Sequence, residues 1–188
     1  ALFKEQTFLV KGVGGINELK AFCKSRKITK AIISSVAKSN LIESFLKDNH
    51  IPFLHLSHKV KLPILIKYDT PKTLGDDRLA NVVGAYSVQP DKNVLTIDCG
   101  TCIKFDMITA QKEYFGGAIS PGLVMRFKAL NTFTNGLPLI EYEKVDYLIG
   151  KSTNESILSG VMNGCISTIF LLVECFKQVK IMYSIFCI

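Results

Sequence analysis

The feature that most restricts the folds open to this chain is a pair of strand-like runs with almost nothing between them. Val94-Leu95-Thr96-Ile97 is a short apolar run, Asp98-Cys99-Gly100-Thr101 interrupts it, and Cys102-Ile103-Lys104-Phe105-Asp106-Met107-Ile108 resumes the alternation at once. Strands joined by so short a turn pair antiparallel, because a parallel pair needs a long crossover. Glu113 to Ala118 reads as a third strand, and a helix to about Leu130 is expected after Pro121-Gly122. Three antiparallel strands followed by a helix are thus the frame of the second part of the chain.

Elsewhere the periodicity is mixed. Ala1-Leu2-Phe3 and Thr7 to Val10 read as a strand end and a second strand in a hairpin, and Ile16, Leu19 and Phe22 follow at helical spacing. Ala31 to Val36 is a β-branched run suited to a buried strand, Asn40 an N-cap for a helix over 41–47, and Pro52 leads into a strand over 53–56. From Lys59 to Lys72 basic and apolar residues alternate around Pro63 and Pro71, which reads as a joint. Leu74-Gly75 then opens a helix from about Asp77 to Tyr86. Thr153 to Phe176 reads as a long buried helix, with Thr153 or Asn154 near its start, and Ile181 to Ile188 as a last strand. The expectation is an α/β chain of two related sheet-and-helix halves, 1–72 and 73–188.

Composition removes some classes of function. With 188 residues, 48% hydrophobic and 21% charged, the chain can bury a real core. A net charge of +7 draws anions, but the lysines are spread from Lys20 to Lys67, so a solvated basic surface is a better reading than a nucleic-acid groove. No secretory signal is visible. The longest apolar stretch, Ile169 to Val173, is closed by Glu174, which argues against a membrane span. The expected compartment is the cytoplasm, with the six cysteines as reduced thiols.

Several motifs could carry chemistry. At the Asp98 to Thr101 tip, a carboxylate can bind a cation, glycine lets backbone amides approach phosphate, and Thr101 can donate to a phosphate oxygen. A hairpin with a capping Asp explains the same residues and is the better local reading. Cys99 and Cys102 have redox spacing, yet the continuation is strand-like and no second Cys pair completes a zinc site. Gly75-Asp76-Asp77-Arg78 puts two carboxylates and a guanidinium at a helix start. Capping and a site explain it about equally, and the Arg78 fork, able to grip a carboxylate, tips it toward a small anionic substrate. Gly116 to Gly122 reads as a glycine-rich turn near a ligand, and Gly150-Lys151-Ser152-Thr153 as a phosphate contact or a plain helix cap. His50, His55 and His58 receive no role.

Taken in order, Tyr68, Gly75-Asp76-Asp77-Arg78 with Leu79-Ala80-Asn81, Ile97-Asp98-Cys99-Gly100-Thr101, Gly116-Gly117-Ala118-Ile119 with Pro121-Gly122, and Gly150-Lys151-Ser152-Thr153 resemble type III pantothenate kinase, from about Ser34 to Gly164. The resemblance implies an actin-like ATPase (ribonuclease H-like) fold with ATP between the halves. It implies phosphorylation of pantothenate to 4'-phosphopantothenate, the first step of coenzyme A synthesis. By it, Asp77 accepts the proton of the pantothenate hydroxyl, and Gly75, Asp76, Asp77 and Arg78 line the pantothenate pocket with Tyr68 and Thr153. Asp98 holds a monovalent cation, potassium or ammonium, Thr101 contacts ATP, and Mg2+ accompanies the phosphates. A homodimer is implied, with pantothenate near the subunit contact.

Departures from that pattern exist. Cys102 and Lys104 stand where the family usually has a small residue and a hydroxyl residue. The family opens with a strand carrying an Asp-x-Gly-Asn-Thr phosphate and magnesium loop and continues past the end of this sequence, so the sequence reads as shortened at both ends. Two other classes stay open: a catalytically impaired relative acting as a regulatory or accessory protein, similar to Bvg accessory factor, and a basic nucleic-acid-binding module.

Overall fold

The computed structural model describes residues 16–25, 28–34, 40–178 and 183–187. The hairpin expected over residues 1–10 lies outside them. A small sheet comes first. Helix α1 (Ile16–Ser25) precedes β1 (Ala31–Ile33), α2 (Asn40–Asp48) crosses over, and β2 (Phe53–His55) pairs parallel to β1. Asn40 is already helical, and the continuation of the first strand to Val36 falls partly on residues outside those described.

The second sheet is larger. It holds β3 (Leu65–Ile66), β4 (Asn93–Cys99), β5 (Cys102–Ile108), β6 (Glu113–Pro121) and β7 (Tyr183–Cys187), in the order β3-β6-β5-β4-β7. The β4-β5-β6 meander is antiparallel, while β3 runs parallel to β6 and β7 parallel to β4. The segment around Pro63 therefore does more than join two parts. Leu65 N–H donates to the Lys112 carbonyl at 2.7 Å and Lys67 N–H to the Tyr114 carbonyl at 2.8 Å, which makes it an edge of the large sheet.

Helices α3 (Asp76–Val88), α4 (Leu123–Phe133) and α5 (Thr153–Gln178) pack with this sheet. Successive side chains on a strand face opposite ways, and β5 divides its residues accordingly. Ile108 joins Val94, Tyr114, Leu79, Val82 and Ala85 in the core under α3. Ile103, Phe105 and Met107 join Leu95, Ile97, Cys165 and Val173 in the core under α5. Phe105 stacks on Phe176 of α5 with ring centroids 6.4 Å apart. Burial of each such side chain is worth about 1.5–3 kcal/mol. Lys104 and Asp106 share the α3 face with Ile108 by the same alternation.

One expectation is corrected. Gly116 to Gly122 is not a turn: the third strand, expected over 113–118, runs on as β6 to Pro121. A Cβ on Gly117 would sit 1.6 Å from the Phe105 carbonyl oxygen, and one on Gly116, at φ +108°, would sit 2.8 Å from the Tyr68 ring. The pairing skips from Met107–Gly116 to Ile108–Tyr114, which marks a bulge. These glycines admit a neighbouring strand and an aromatic ring, so their requirement for space is internal.

By length and composition α5 could cross a membrane. A stripe along it, Ile157, Leu158, Ser159, Val161, Cys165 and Val173, is nevertheless buried against the rest of the protein. Ser152 supplies its cap: the Ser152 hydroxyl accepts from Glu155 N–H at 3.2 Å, and the Ser152 carbonyl from Ser156 N–H at 2.9 Å. Thr153 is the first helical residue.

Candidate active site

The site grows from the first turn of α3. Gly75 is its extended N-cap residue, with φ −65° and ψ 134°, and Asp76 and Asp77 follow in the turn where the helix dipole favours anions. Asp77 Oδ1 accepts the Arg78 backbone N–H at 2.9 Å. A Cβ at Gly75 would stand 2.6 Å from that same oxygen. Glycine there leaves the Asp77 carboxylate room to take this rotamer.

The other carboxylate oxygen points to the sheet. Lys104 Nζ donates to Asp77 Oδ2 at 2.5 Å and lies 2.8 Å from Asp98 Oδ2. Asp98 and Lys104 face each other across the β4–β5 ladder. Asp98 Oδ2 also accepts from Asn81 Nδ2 at 3.1 Å. Asn81 lies one helical turn beyond Asp77 and on the same face of α3. Three elements therefore converge on one ammonium, whose side chain is 17% exposed.

The charges answer this geometry. Partial burial works to raise the Asp77 carboxyl, but its bonds to Lys104 and to the Arg78 amide outweigh burial and hold it below its ordinary value of 3.8. Burial likewise works to lower Lys104, and the bonds to Asp77 and Asp98 hold it above its ordinary 10.5. Both groups are charged through neutral pH.

Beneath them lies a second cluster. Arg78 Nε donates to Asp106 Oδ1 at 3.0 Å and Arg78 Nη2 to the same oxygen at 2.5 Å. Tyr114 Oη donates to Asp106 Oδ1 at 2.7 Å. The Tyr68 ring stacks on Tyr114 at 6.2 Å, and the Arg78 guanidinium lies 5.5 Å from the Tyr68 ring centre. Burial, then the Asp106 charge and its hydrogen bond, push the Tyr114 hydroxyl well above its usual range, so it remains a donor. Burial opposes the Arg78 charge, and Asp106 more than restores it. The carboxylate that the Arg78 fork grips is thus one of the chain's own.

Asp77 and Asp98 meet at Lys104, Arg78 and Tyr68 meet beneath them, Gly75 and Asp76 precede Asp77 at the start of α3, and Thr101 is exposed at the tip of the β4–β5 hairpin. Thr153 does not join them. It lines an open groove of about 1130 Å³ between α4 and the start of α5, together with Arg126, Leu130, Phe133, Gly150 and Ser152. Sequence reasoning missed Asp106 and Tyr114, and it took Lys104 only as a departure from a pattern. A buried acid within an otherwise apolar strand was the available signal for Asp106.

The surroundings of Asp98 do not suit a monovalent metal ion. One of its oxygens already takes two donors, one of them charged. Lys104 thus already places a single positive charge at this carboxylate, where a monovalent metal ion would otherwise supply it. For Mg2+, no group of three or more His, Cys, Asp or Glu side chains among the described residues could hold a metal.

Residues 15–174 match the family described as type III pantothenate kinase. Over 138 residues the chain is 50% identical to the type III pantothenate kinase of Christiangramia forsetii, covering 73% of this chain and 56% of that protein. Over 150 residues it is 41% identical to that of Bacteroides fragilis, covering 79% and 62%. The chain thus spans little more than half the length of these relatives. A solved Baf family protein from Campylobacter jejuni is similar at a TM-score of 0.48 and 19% identity, over 89% of this chain and 70% of that one.

Proposed function

The chain belongs to the type III pantothenate kinase family, and from that premise we propose that its protein transfers the γ-phosphoryl group of ATP to pantothenate, giving 4'-phosphopantothenate at the head of coenzyme A synthesis. In this reading the fold is actin-like, with two related sheet-and-helix halves; β3 at 65–66 belongs to the larger sheet, so the joint falls before it rather than at residue 72. The cytoplasm, which supplies ATP, is the compartment.

One observation carries the reading. Asp77 combines a half-exposed carboxylate, 50% accessible, with two contacts that keep it ionised at a helix mouth. Such a group can orient an alcohol and take its proton. The pantothenate hydroxyl oxygen bonds to the γ-phosphorus as its O–H bond breaks and the proton passes to Asp77. The bond to the β-phosphate oxygen breaks, and its electron pair leaves with ADP. Thr101 would contact the nucleotide from the hairpin tip; Mg2+, arriving with the nucleotide rather than held by a carboxylate cluster among the described residues, would supply neutralisation of the phosphate charge.

Gly75, Asp76, Arg78 and Tyr68 line the pantothenate side. Arg78 acts there from a guanidinium already anchored by Asp106. Because Thr153 lines a groove that none of these residues lines, its contact with pantothenate would come from the partner copy of a homodimer.

The test is ATP- and pantothenate-dependent formation of ADP and phosphopantothenate by the full-length protein, before and after Asp77→Asn. Loss of turnover by about 10²-fold or more is expected. Unchanged turnover would remove Asp77 as the proton acceptor, and ATP binding without any turnover would remove the kinase assignment.

A further inference from the structure

The family resemblance calls for a metal ion at Asp98, and the site presents an ammonium there instead. Asp77 comes from the first turn of α3, Asp98 from the end of β4 and Lys104 from β5. Lys104 Nζ reaches Asp77 Oδ2 at 2.5 Å and Asp98 Oδ2 at 2.8 Å. Asn81 completes the set by donating to the same Asp98 oxygen. An ammonium has the charge of a potassium ion and offers three directed donors. Here it is also fixed to a strand, so its local concentration does not depend on dissolved salt.

We propose that the Lys104 ammonium is the built-in monovalent cation of this site, a positioning residue that bridges Asp77 and Asp98 and frees phosphoryl transfer from any need for potassium or ammonium. The proposal rests on the reading of Asp77 as the proton acceptor. Lys104 enters no bond change; it holds the acceptor in register with the hairpin tip and offsets the negative charge of two carboxylates that converge on one point. Without it these carboxylates face each other uncompensated, and a small monovalent cation is the charge that fits between them.

The experiment compares the full-length wild type with Lys104→Met in buffers of equal ionic strength containing choline, potassium or ammonium chloride. Two readouts are taken: turnover of ATP and pantothenate, and the thermal unfolding midpoint without substrates. Wild type is expected to turn over equally in the three salts and to show one midpoint. Lys104→Met is expected to lose about tenfold or more in choline, recover in potassium or ammonium, and unfold at a higher temperature in those salts than in choline. Lys104→Gln, which keeps a polar side chain, is the second variant if the Met variant does not fold.

A wild type that requires potassium overturns the proposal and leaves the kinase reading intact. So does a lysine variant whose loss no cation restores. If pantothenate is phosphorylated in no salt, the kinase reading falls while the unfolding midpoints still decide: potassium-specific stabilisation confined to the lysine variants supports the built-in cation, and its absence overturns it.

Discussion

The Arg78 guanidinium reaches from the first turn of α3 to the Asp106 carboxylate on β5, with Nε 3.0 Å from Oδ1 and the two side chains 7% and 1% exposed. This buried pair binds the helix that carries Asp77 to the sheet that carries Lys104. Removing one member of such a pair leaves the other charge stranded out of water. Asp106→Ala should therefore cost about 3–5 kcal/mol of unfolding free energy, read from the urea midpoint. Asp106→Asn, which keeps hydrogen-bonding capacity, should cost less. Equal stability of Asp106→Ala and wild type would mean the pair does not anchor α3.

The pH response follows from opposite shifts in the Asp77–Lys104 bridge. Asp77 is depressed below 3.8, so its contribution is complete above that value and is lost as pH falls through the folded pKa. Lys104 is raised above 10.5, so its contribution is complete below that value and is lost as pH rises through the folded pKa. Between these limits kcat/KM should show no acid limb from Asp77. A limb at about pH 6–7 traced to Asp77 would contradict an ionised, Lys104-bound acceptor.

Gly117 tests the close approach of β5 and β6. A methyl group there would meet the Phe105 carbonyl oxygen at 1.6 Å, and neither backbone can yield without opening the ladder. Gly117→Ala should destabilise the protein by about 4 kcal/mol or more, seen in the thermal midpoint. Gly160, where nothing lies within 4 Å of an added Cβ, is the control: Gly160→Ala in mid-helix should be neutral or stabilising by about 1 kcal/mol.

The place of Thr153 can be tested by mixing subunits. Asp77→Asn and Thr153→Arg should each abolish or strongly depress turnover. In a two-fold homodimer whose sites combine Asp77 of one copy with Thr153 of the other, random remixing should restore about a quarter of wild-type activity. No recovery would place both residues in the same copy's site.

Much of this arrangement was legible in the sequence. The helix opening at Asp77, the hairpin through Gly100 and the long helix from Thr153 follow from local signals: a glycine and acids at a helix mouth, a turn between alternating runs, and apolar residues at helical spacing. What local signals could not supply were relations set by register. Lys104 meets Asp98 because β4 and β5 pair as they do, and it meets Asp77 because α3 crosses that face. Asp106 is an acid in a strand until the fold places Arg78 over it. The glycines at 116 and 117 resembled a ligand loop because glycine signals close approach, and only the paired strand shows what approaches. Leu65–Ile66 escaped notice because two residues carry too little alternation to mark a strand.

The contact between Gly122 and the hairpin tip has a mechanical meaning. Gly122 N–H donates to the Thr101 carbonyl at 3.0 Å, and a Cβ at Gly122 would come within 2.2 Å of the Gly100 carbonyl oxygen. The start of α4 is thus clamped onto the tip with no slack between them. The same helix, through Arg126, Ala129, Leu130 and Phe133, walls the groove containing Thr153, so the hairpin tip and that groove share one structural element.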